Sequence, residues 1–175
     1  IFTDATLSSS VLNDVLKNNI KTTFNAISCD GDTSTNDMVS IFSTCTVNHS
    51  KIKKYSDSRL KNFNKAVHDV LLNLAKQIVS DGEGASKFIS INCINCRTEK
   101  DAKNISFKIA NSLLVKTAIA GEDPNWGRVA MAIGNSDSKI NEQKISISFG
   151  QYKIYHKGSL YKFYDEEKVK EYMLS

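Results

Sequence analysis

The segment Asp81-Gly-Glu-Gly-Ala-Ser-Lys87 places one carboxylate, that of Glu83, between two glycines. Glycine lets the backbone come close to a bound molecule, and a carboxylate on such a loop can hold an ammonium group through charge-assisted hydrogen bonds. This pattern suits a site for amino acids. The same residues also fit the C-terminal cap of a helix with an exposed glutamate, and the residues alone favour the cap.

A second polar segment, Cys29-Asp-Gly-Asp-Thr-Ser-Thr-Asn-Asp37, gathers carboxylates and an amide within a short stretch. Its oxygen atoms alternate with a glycine, as the ligands of a calcium loop do, but the late bidentate glutamate of such a loop is missing. Asx, Ser and Thr side chains also hydrogen-bond to their own backbone in turns. We therefore predict a turn held by its own side chains, and no metal site.

Lys116 and Arg128 are two cations near the only proline and the only tryptophan of the chain. An arginine can bind a carboxylate with two parallel hydrogen bonds, and a lysine supplies a compact positive charge. In the other interpretation, Trp126 anchors a corner of the core while Arg128 pairs with Asp123 or Glu122. The sequence does not decide between these two interpretations.

Cys93 and Cys96 form a Cys-x-x-Cys pair at the end of a segment, Phe88 to Ile94, whose apolar alternation predicts a strand. Residues three apart on a strand face opposite sides, which is unsuitable for a shared zinc ion. No second pair at ligand spacing and no nearby histidine completes such a site. The pattern favours buried free thiols in a reducing compartment.

Several common catalytic and cofactor motifs are missing from the sequence. The histidines, His49, His68 and His156, lie far from any Gly-x-Ser-x-Gly elbow, so no Ser-His-Asp arrangement can be argued. His68 borders the apolar stripe of a predicted helix and is interpreted as structural. There is no Walker loop and no Rossmann fingerprint, and we expect no cofactor.

Hydrophobic periodicity predicts mixed helices and strands, and hence a layered α/β fold. Only one proline interrupts the chain and no linker is visible, so we expect a single domain over residues 1–175. In chain order, the predicted elements are a helix from Ser8 to Ile27, a strand or short helix from Met38 to Val47, a helix from Ser56 to Ser80, a strand from Phe88 to Ile94, a helix from Thr98 to Leu113, a turn over Pro124 to Gly127, a short element from Val129 to Ile133, a hairpin of Lys144 to Phe149 and Tyr152 to Tyr155 around Gly150, and a helix from Asp165 to Leu174.

Composition narrows the classes of partner. The net charge is +4, but the lysines are spread along predicted helix faces and give a solvated surface rather than a nucleic-acid stripe. No apolar run is long enough for a membrane span, and no signal peptide is recognisable. We expect a cytoplasmic protein that binds neither nucleic acid nor membrane.

Four strings together resemble one family: Ile1-Phe-Thr-Asp-Ala5, the Cys29 to Asp37 segment, the Asp81 to Lys87 segment, and Gly121-Glu-Asp-Pro-Asn-Trp-Gly-Arg128. They are similar to the β chain of the ornithine acetyltransferase family, also called glutamate N-acetyltransferase. The resemblance implies an α/β fold, a layered αββα sandwich resembling N-terminal-nucleophile hydrolases. It also implies an enzyme that cleaves its own precursor.

The resemblance implies a ping-pong transfer of acetyl from N2-acetylornithine to L-glutamate through an acetyl-threonine, in arginine biosynthesis. The nucleophilic threonine is expected just upstream of Ile1, so no catalytic residue is expected in this chain, and Glu83 is expected to contact the substrate. The resemblance assigns no role to Asn36, Asp37, Lys116 or Arg128 and leaves open whether acetyl-CoA is also a donor.

The resemblance further implies a partner α chain from the same precursor and an α2β2 or higher assembly. The family continues past the last predicted helix into a further strand and a tail, so this chain alone is expected to be inactive. Two other classes remain open: a related self-cleaving amidohydrolase or aminopeptidase-like enzyme, and a non-catalytic α/β binding module.

Overall fold

A computed structural model describes residues 1–174 of the chain. Their contacts group into two compact units, Ile1–Ala85 and Ser86–Ser175. Each unit has its own cluster of buried apolar side chains. One domain across residues 1–175 stays a prediction.

The first unit contains two strands and two helices. The strands β1 (Phe2–Leu7) and β2 (Phe42–Ile52) pair in parallel, with shifts of register along their length. The helices are α1 (Ser9–Asn19) and α2 (Lys61–Ser80), with short 3-10 turns beside them at Ile20–Thr22, Phe24–Ala26 and Ser58–Leu60. The segment from Met38 to Val47, for which the sequence left a strand or a short helix open, leads into the strand β2, which begins and ends later.

The first predicted helix begins where expected but is shorter than the predicted Ser8 to Ile27. The Ser8 hydroxyl accepts a hydrogen bond from the backbone of Val11 and so caps α1. At the other end, the Asn19 amide donates to the Val15 carbonyl at 2.8 Å, and the Thr23 hydroxyl donates to the Asn19 carbonyl at 2.9 Å. Because such side chains compete for helical carbonyls, the chain continues as 3-10 turns.

Helix α2 buries one side of its apolar stripe and exposes the other. Leu71 is fully buried and Val67 nearly so, packed with residues of α1 and of the sheet. Val70, Leu74 and Ile78 are 46%, 39% and 47% exposed. The apolar stripe predicted from the sequence therefore includes more side chains than the core of this unit buries.

Among its described residues, the second unit contains four α-helices, a short 3-10 turn at Glu142–Lys144 and a small antiparallel sheet. The helices are α3 (Glu99–Ala110), α4 (Leu113–Ala120), α5 (Trp126–Gly134) and α6 (Glu166–Leu174). The strands are β3 (Ser146–Phe149), β4 (Tyr152–His156) and β5 (Ser159–Leu160), in the order β3-β4-β5. The hairpin around Gly150 and the last helix are confirmed, and Thr98 caps α3 as predicted.

Three predictions in this unit are wrong. Leu113 begins α4 instead of ending α3, because the Ser112 hydroxyl caps a new helix by accepting from the Val115 backbone at 3.3 Å. The expected turn through Trp126 and Gly127 is the first turn of α5, capped by the Asn125 side chain. The segment Phe88 to Ile94 forms no ladder within residues 1–174, since no described strand lies beside it.

Within residues 1–174, none of the helices combines the length and the apolar character that a membrane span requires.

Candidate functional site

A groove of about 700 Å³ in the first unit brings together two of the strings singled out in the sequence. Ile1 of the opening string lines it, and so does Asp81 of the Asp-Gly-Glu-Gly string. The remaining lining residues are Phe24, Met38, Val39, Ser40, Leu74, Gln77, Ile78 and Ser80. Most of the wall is apolar, and the polar groups lie beside the end of α2.

The start of the chain is held in place at this groove. The Ile1 nitrogen donates to the Ser40 carbonyl at 2.7 Å, and the Phe42 backbone donates to the Ile1 carbonyl at 2.9 Å. Phe2 and Phe42 stack with their ring centroids 5.3 Å apart. These contacts fix the backbone of the opening string at the wall of the groove.

The Asp81 to Ala85 segment ends α2 with a tight turn. Asp81 donates its backbone N–H to the Gln77 carbonyl at 2.9 Å, and Ala85 donates to the Gly82 carbonyl at 2.9 Å. Gly84 has a φ of +69°, which favours glycine. The predicted helix cap is confirmed at this position, but a cap does not exclude a ligand-binding role for the same loop.

Glu83 lies on this turn, two positions beyond Asp81, and is exposed. Its carboxylate forms no hydrogen bond or ion pair with the described residues 1–174. The groove and the carboxylate thus lie at the same end of α2, but Glu83 does not itself line the groove. Its contact with substrate stays a prediction.

The acidic segment folds as the predicted turn. The Asp30 carboxylate accepts from the Asp32 backbone at 2.8 Å, and the Ser34 hydroxyl accepts from the backbones of Asn36 and Asp37 at 3.3 and 3.1 Å. Residues 29–38 are all exposed. Among residues 1–174, no group of three or more His, Cys, Asp or Glu side chains is arranged to hold a metal ion.

Arg128 has a packing role in the second unit, although not with the predicted partners. Its guanidinium donates to the Leu114 carbonyl at 2.9 Å and to the Thr117 hydroxyl at 3.0 Å, which ties α5 to α4. Glu122 pairs instead with Lys87 at 3.0 Å. Trp126 stacks on the Tyr155 ring at 4.9 Å and packs on the core, as the anchoring interpretation predicts.

Lys116 is half-buried on α4. The contacts of Arg128 favour the structural interpretation of this region. A role for Lys116 beyond packing stays open.

Among the described residues no disulfide joins the cysteines, and the predicted burial is wrong: Cys29 and Cys45 are exposed, whereas Cys93 and Cys96 are partly buried. Asn95, with a φ of +58°, turns the chain between them, and both line one cavity of the second unit. Burial, with smaller contributions from Cys93 and Asp101, raises the pKa of the Cys96 thiol. The structural interpretation of His68 is supported by the hydrogen bond of 3.2 Å between its ring and the Thr22 hydroxyl.

The groove combines a mostly apolar wall with polar side chains, among them Gln77, Ser80 and Asp81, beside the end of α2. Apolar walls take up methylene groups, and a carboxylate at the rim can hold a cationic end. Sequence reasoning singled out the opening string and the Asp81 to Lys87 string, but it missed Met38 and the exposed side of α2 as lining of the groove. The sequence does indicate the exposed side of α2, because its apolar stripe is wider than the single face that packs on the core.

Comparison with known proteins identifies a family that this sequence matches. The model of the ArgJ family matches residues 1–175. The arginine biosynthesis bifunctional protein ArgJ of Bradyrhizobium diazoefficiens is 46% identical over 99% of this chain, and that of Caulobacter vibrioides is 41% identical over 99%. The chain spans 43% of the length of each of these relatives.

A solved structure of a related protein has the same fold as this chain. The arginine biosynthesis bifunctional protein ArgJ from Bacillus halodurans superposes with a TM-score of 0.93 and is 35% identical. The match covers 100% of this chain and 81% of that chain. The predicted fold class is confirmed: an α/β fold of the layered αββα type that resembles N-terminal-nucleophile hydrolases.

Proposed function

Because the chain belongs to the ArgJ family, we propose that it forms most of the β chain of a self-cleaving acetyltransferase of arginine biosynthesis. The proposed reaction transfers acetyl from N2-acetylornithine to L-glutamate. The partner is an α chain from the same precursor, and the assembly is α2β2 or larger. The proposed location is the cytoplasm.

In the proposed mechanism, the nucleophile is a threonine freed by cleavage a few residues upstream of Ile1. Its hydroxyl oxygen attacks the acetyl carbonyl, and its own α-amine takes the hydroxyl proton. The tetrahedral intermediate collapses, and the N2 amine of ornithine leaves with that proton. The amine of glutamate then attacks the acetyl-threonine, loses a proton and regenerates the hydroxyl, while oxyanion donors of the α chain stabilise both intermediates.

One observation carries the proposal: Ile1 and Asp81 line the same groove. An extended chain advances about 3.3 Å per residue, so a threonine a few residues before Ile1 lies within about 10 to 15 Å of the groove wall. Glu83, at the same end of α2, can reach a substrate that lies along the groove. This arrangement supports the assignment of Glu83 to the ammonium group of the substrate.

Replacing Glu83 tests this assignment in the complete enzyme. A charge-assisted hydrogen bond is worth about 1.5 to 3 kcal/mol, so Glu83→Gln should lower kcat/KM for N2-acetylornithine by about 10- to 150-fold while precursor cleavage stays intact. Asp14→Asn is the matched control, because Asp14 is an exposed carboxylate of the same unit outside the groove. A kcat/KM for Glu83→Gln equal to that of the control would remove Glu83 from the site.

The curated relatives are named bifunctional. On that ground we also propose acetyl-CoA as a second acetyl donor to glutamate in this enzyme. Incubation of the complete enzyme with glutamate and acetyl-CoA, without acetylornithine, should yield N-acetylglutamate. Production of free acetate from acetylornithine in the absence of glutamate would point instead to an amide-hydrolysing enzyme.

A further inference from the structure

His49 supplies a hydrogen bond where the two strands of the first unit fall out of register. The pairing of β1 with β2 shifts between Ala5 and Leu7, where residues 48–51 of β2 lie opposite Thr6 alone. Extra residues on one strand interrupt the backbone ladder. The Thr6 backbone N–H donates there to Nε2 of the His49 ring at 3.1 Å, and both residues are half-buried. A side chain thus fastens β1 at the point where regular backbone pairing stops.

The hydrogen-bond partners of the His49 ring assign its protonation state. A backbone N–H is only a donor, so the Nε2 atom that receives the Thr6 N–H carries a lone pair and no hydrogen. The other ring nitrogen, Nδ1, lies 3.0 Å from the Ser50 carbonyl oxygen, which is only an acceptor. The hydrogen therefore lies on Nδ1, and the ring is neutral. A second proton, on Nε2, would place two donors face to face and break the link to Thr6.

A nearby cation also favours the neutral ring. The Ser50 carbonyl that accepts from His49 accepts as well from the Arg59 guanidinium at 3.0 Å. Arg59 forms an ion pair with Asp57 at 2.6 Å, and its hydrogen bond lowers the pKa of the Asp57 carboxyl to about 2. Because both members of this pair keep their charges at mildly acidic pH, the pair is a constant background when the histidine titrates.

No negative charge pairs with the His49 ring within residues 1–174. The other charged side chains of the two strands are Asp4 of β1 and Lys51 of β2, and Lys54 lies in the loop before Asp57. None of them forms an ion pair with the ring among the described residues. A proton gained by His49 would therefore cost the bond to Thr6 without a compensating ion pair.

His68 of α2 gives a matched contrast within the same unit. Its Nε2 atom lies 3.2 Å from the Thr22 hydroxyl, which can either donate or accept. The Nδ1 atom of His68 lies 3.8 Å from the Asp69 carboxylate, which favours a positive ring. Protonation of His68 therefore leaves its contacts possible, whereas protonation of His49 does not.

We propose that neutral His49 is a positioning residue that holds β1 against β2, and that the hold is released when the ring gains a proton. The positioning role rests on the proposed function, because β1 follows the threonine expected upstream of Ile1. Histidine ordinarily gains its proton between about pH 8 and 5. Since the neutral ring makes the bond, the hold is present above this range and is lost as the pH falls through it.

Hydrogen exchange in the complete enzyme tests the hold without reference to activity. Mass spectrometry that resolves single amides gives the protection factor of the Thr6 amide, which is corrected for the effect of pH on intrinsic exchange. This protection factor should fall about tenfold from about pH 7.5 to about pH 5.5. In His49→Gln, the side-chain carbonyl can accept from Thr6 at either pH, so the protection factor should change by less than about twofold. His68→Gln is the control and should show the same fall as the unchanged enzyme.

Two exchange results overturn the hold. One is equal protection of the Thr6 amide at both pH values in the unchanged enzyme. The other is a fall of the same size in His49→Gln, which would assign the change to another group.

The pH profile of activity tests the positioning role. The ratio of kcat in the unchanged enzyme to kcat in His49→Gln should fall about tenfold over the same pH range, with the ratio of KM values nearly constant. The ratio cancels the titration of the nucleophile, which both enzymes share. If Thr6 loses protection while the kcat ratio stays constant, His49 holds the strand but does not position the nucleophile, and that role is wrong. An enzyme inactive at every pH contradicts the proposed function and the positioning role together, while exchange of the Thr6 amide still decides whether His49 holds β1.

Discussion

Gly150 offers a sharp test of the packing that holds the end of α6. Its φ is +55°, and a Cβ built at this position would lie 2.6 Å from the Tyr172 hydroxyl oxygen and overlap the ring itself. Gly150→Ala should therefore be destabilising for two separate reasons. The left-handed backbone costs about 1 to 2 kcal/mol for an L-residue. The atoms that meet the Cβ are the far end of the Tyr172 ring, which is 43% exposed and can move aside, so the overlap adds about 1 kcal/mol or less.

The two costs can be separated in a double-mutant cycle. Tyr172→Ala removes the ring and with it the overlap but not the backbone strain, so the double variant should be more stable than the sum of the single effects by up to about 1 kcal/mol. Gly134→Ala is the matched control, because a Cβ at this helical position meets no atom within 4 Å. It should be neutral or stabilising by up to about 1 kcal/mol.

Urea unfolding followed by tryptophan fluorescence measures these changes. Trp126 is the only tryptophan and lies in the second unit, so its emission reports on the unit that contains Gly150. If the free energy of unfolding of Gly150→Ala lies within about 0.5 kcal/mol of that of the unchanged protein, the packing of Gly150 described above is wrong. If the double variant loses as much free energy of unfolding as the two single variants together, backbone strain alone accounts for the effect of Gly150→Ala.

Three further perturbations follow from the contacts of single residues. Leu71→Ala should lower the free energy of unfolding of the first unit by about 2 to 5 kcal/mol. Leu74→Ala removes the same atoms from a leucine that is 39% exposed and should cost much less; urea titration followed by circular dichroism compares the two variants. Arg128→Ala should destabilise the second unit by about 1 to 3 kcal/mol, through loss of the α4 contacts, in Trp fluorescence. The hydrogen bond from Arg59 lowers the pKa of Asp57 from 3.8 to about 2, so its stabilisation is complete above pH 4 and is lost as the pH falls towards 2, a loss that Asp57→Asn should abolish in acid titration.

Local sequence signals predicted most helices well. The caps at Ser8 and Thr98, and the apolar spacing of α2, depend on residues close together in the chain. The break between α3 and α4 was missed because apolar residues continue every fourth position from Ile105 through Leu113. The break depends on the capping hydroxyl of Ser112, and an analysis of apolar periodicity does not detect a helix cap.

Strands were harder to predict because a strand needs a partner that the local sequence does not name. Phe88–Ile94 has the alternation of a strand but no described neighbour, and β1 was not predicted at all. The same limit applies to the candidate site. The sequence identified Glu83 and the opening string, but only folding shows that Ile1 and Asp81 line one groove.

The most direct test of the proposed function is a denaturing intact-mass spectrum of the native particle after incubation with N2-acetylornithine. We expect two polypeptides, of which the one that contains residues 1–175 extends upstream to an N-terminal threonine and is heavier by one acetyl group. The acetyl group should disappear when L-glutamate is added. A single unmodified polypeptide under the same conditions would contradict the covalent mechanism and leave a binding module as the better account.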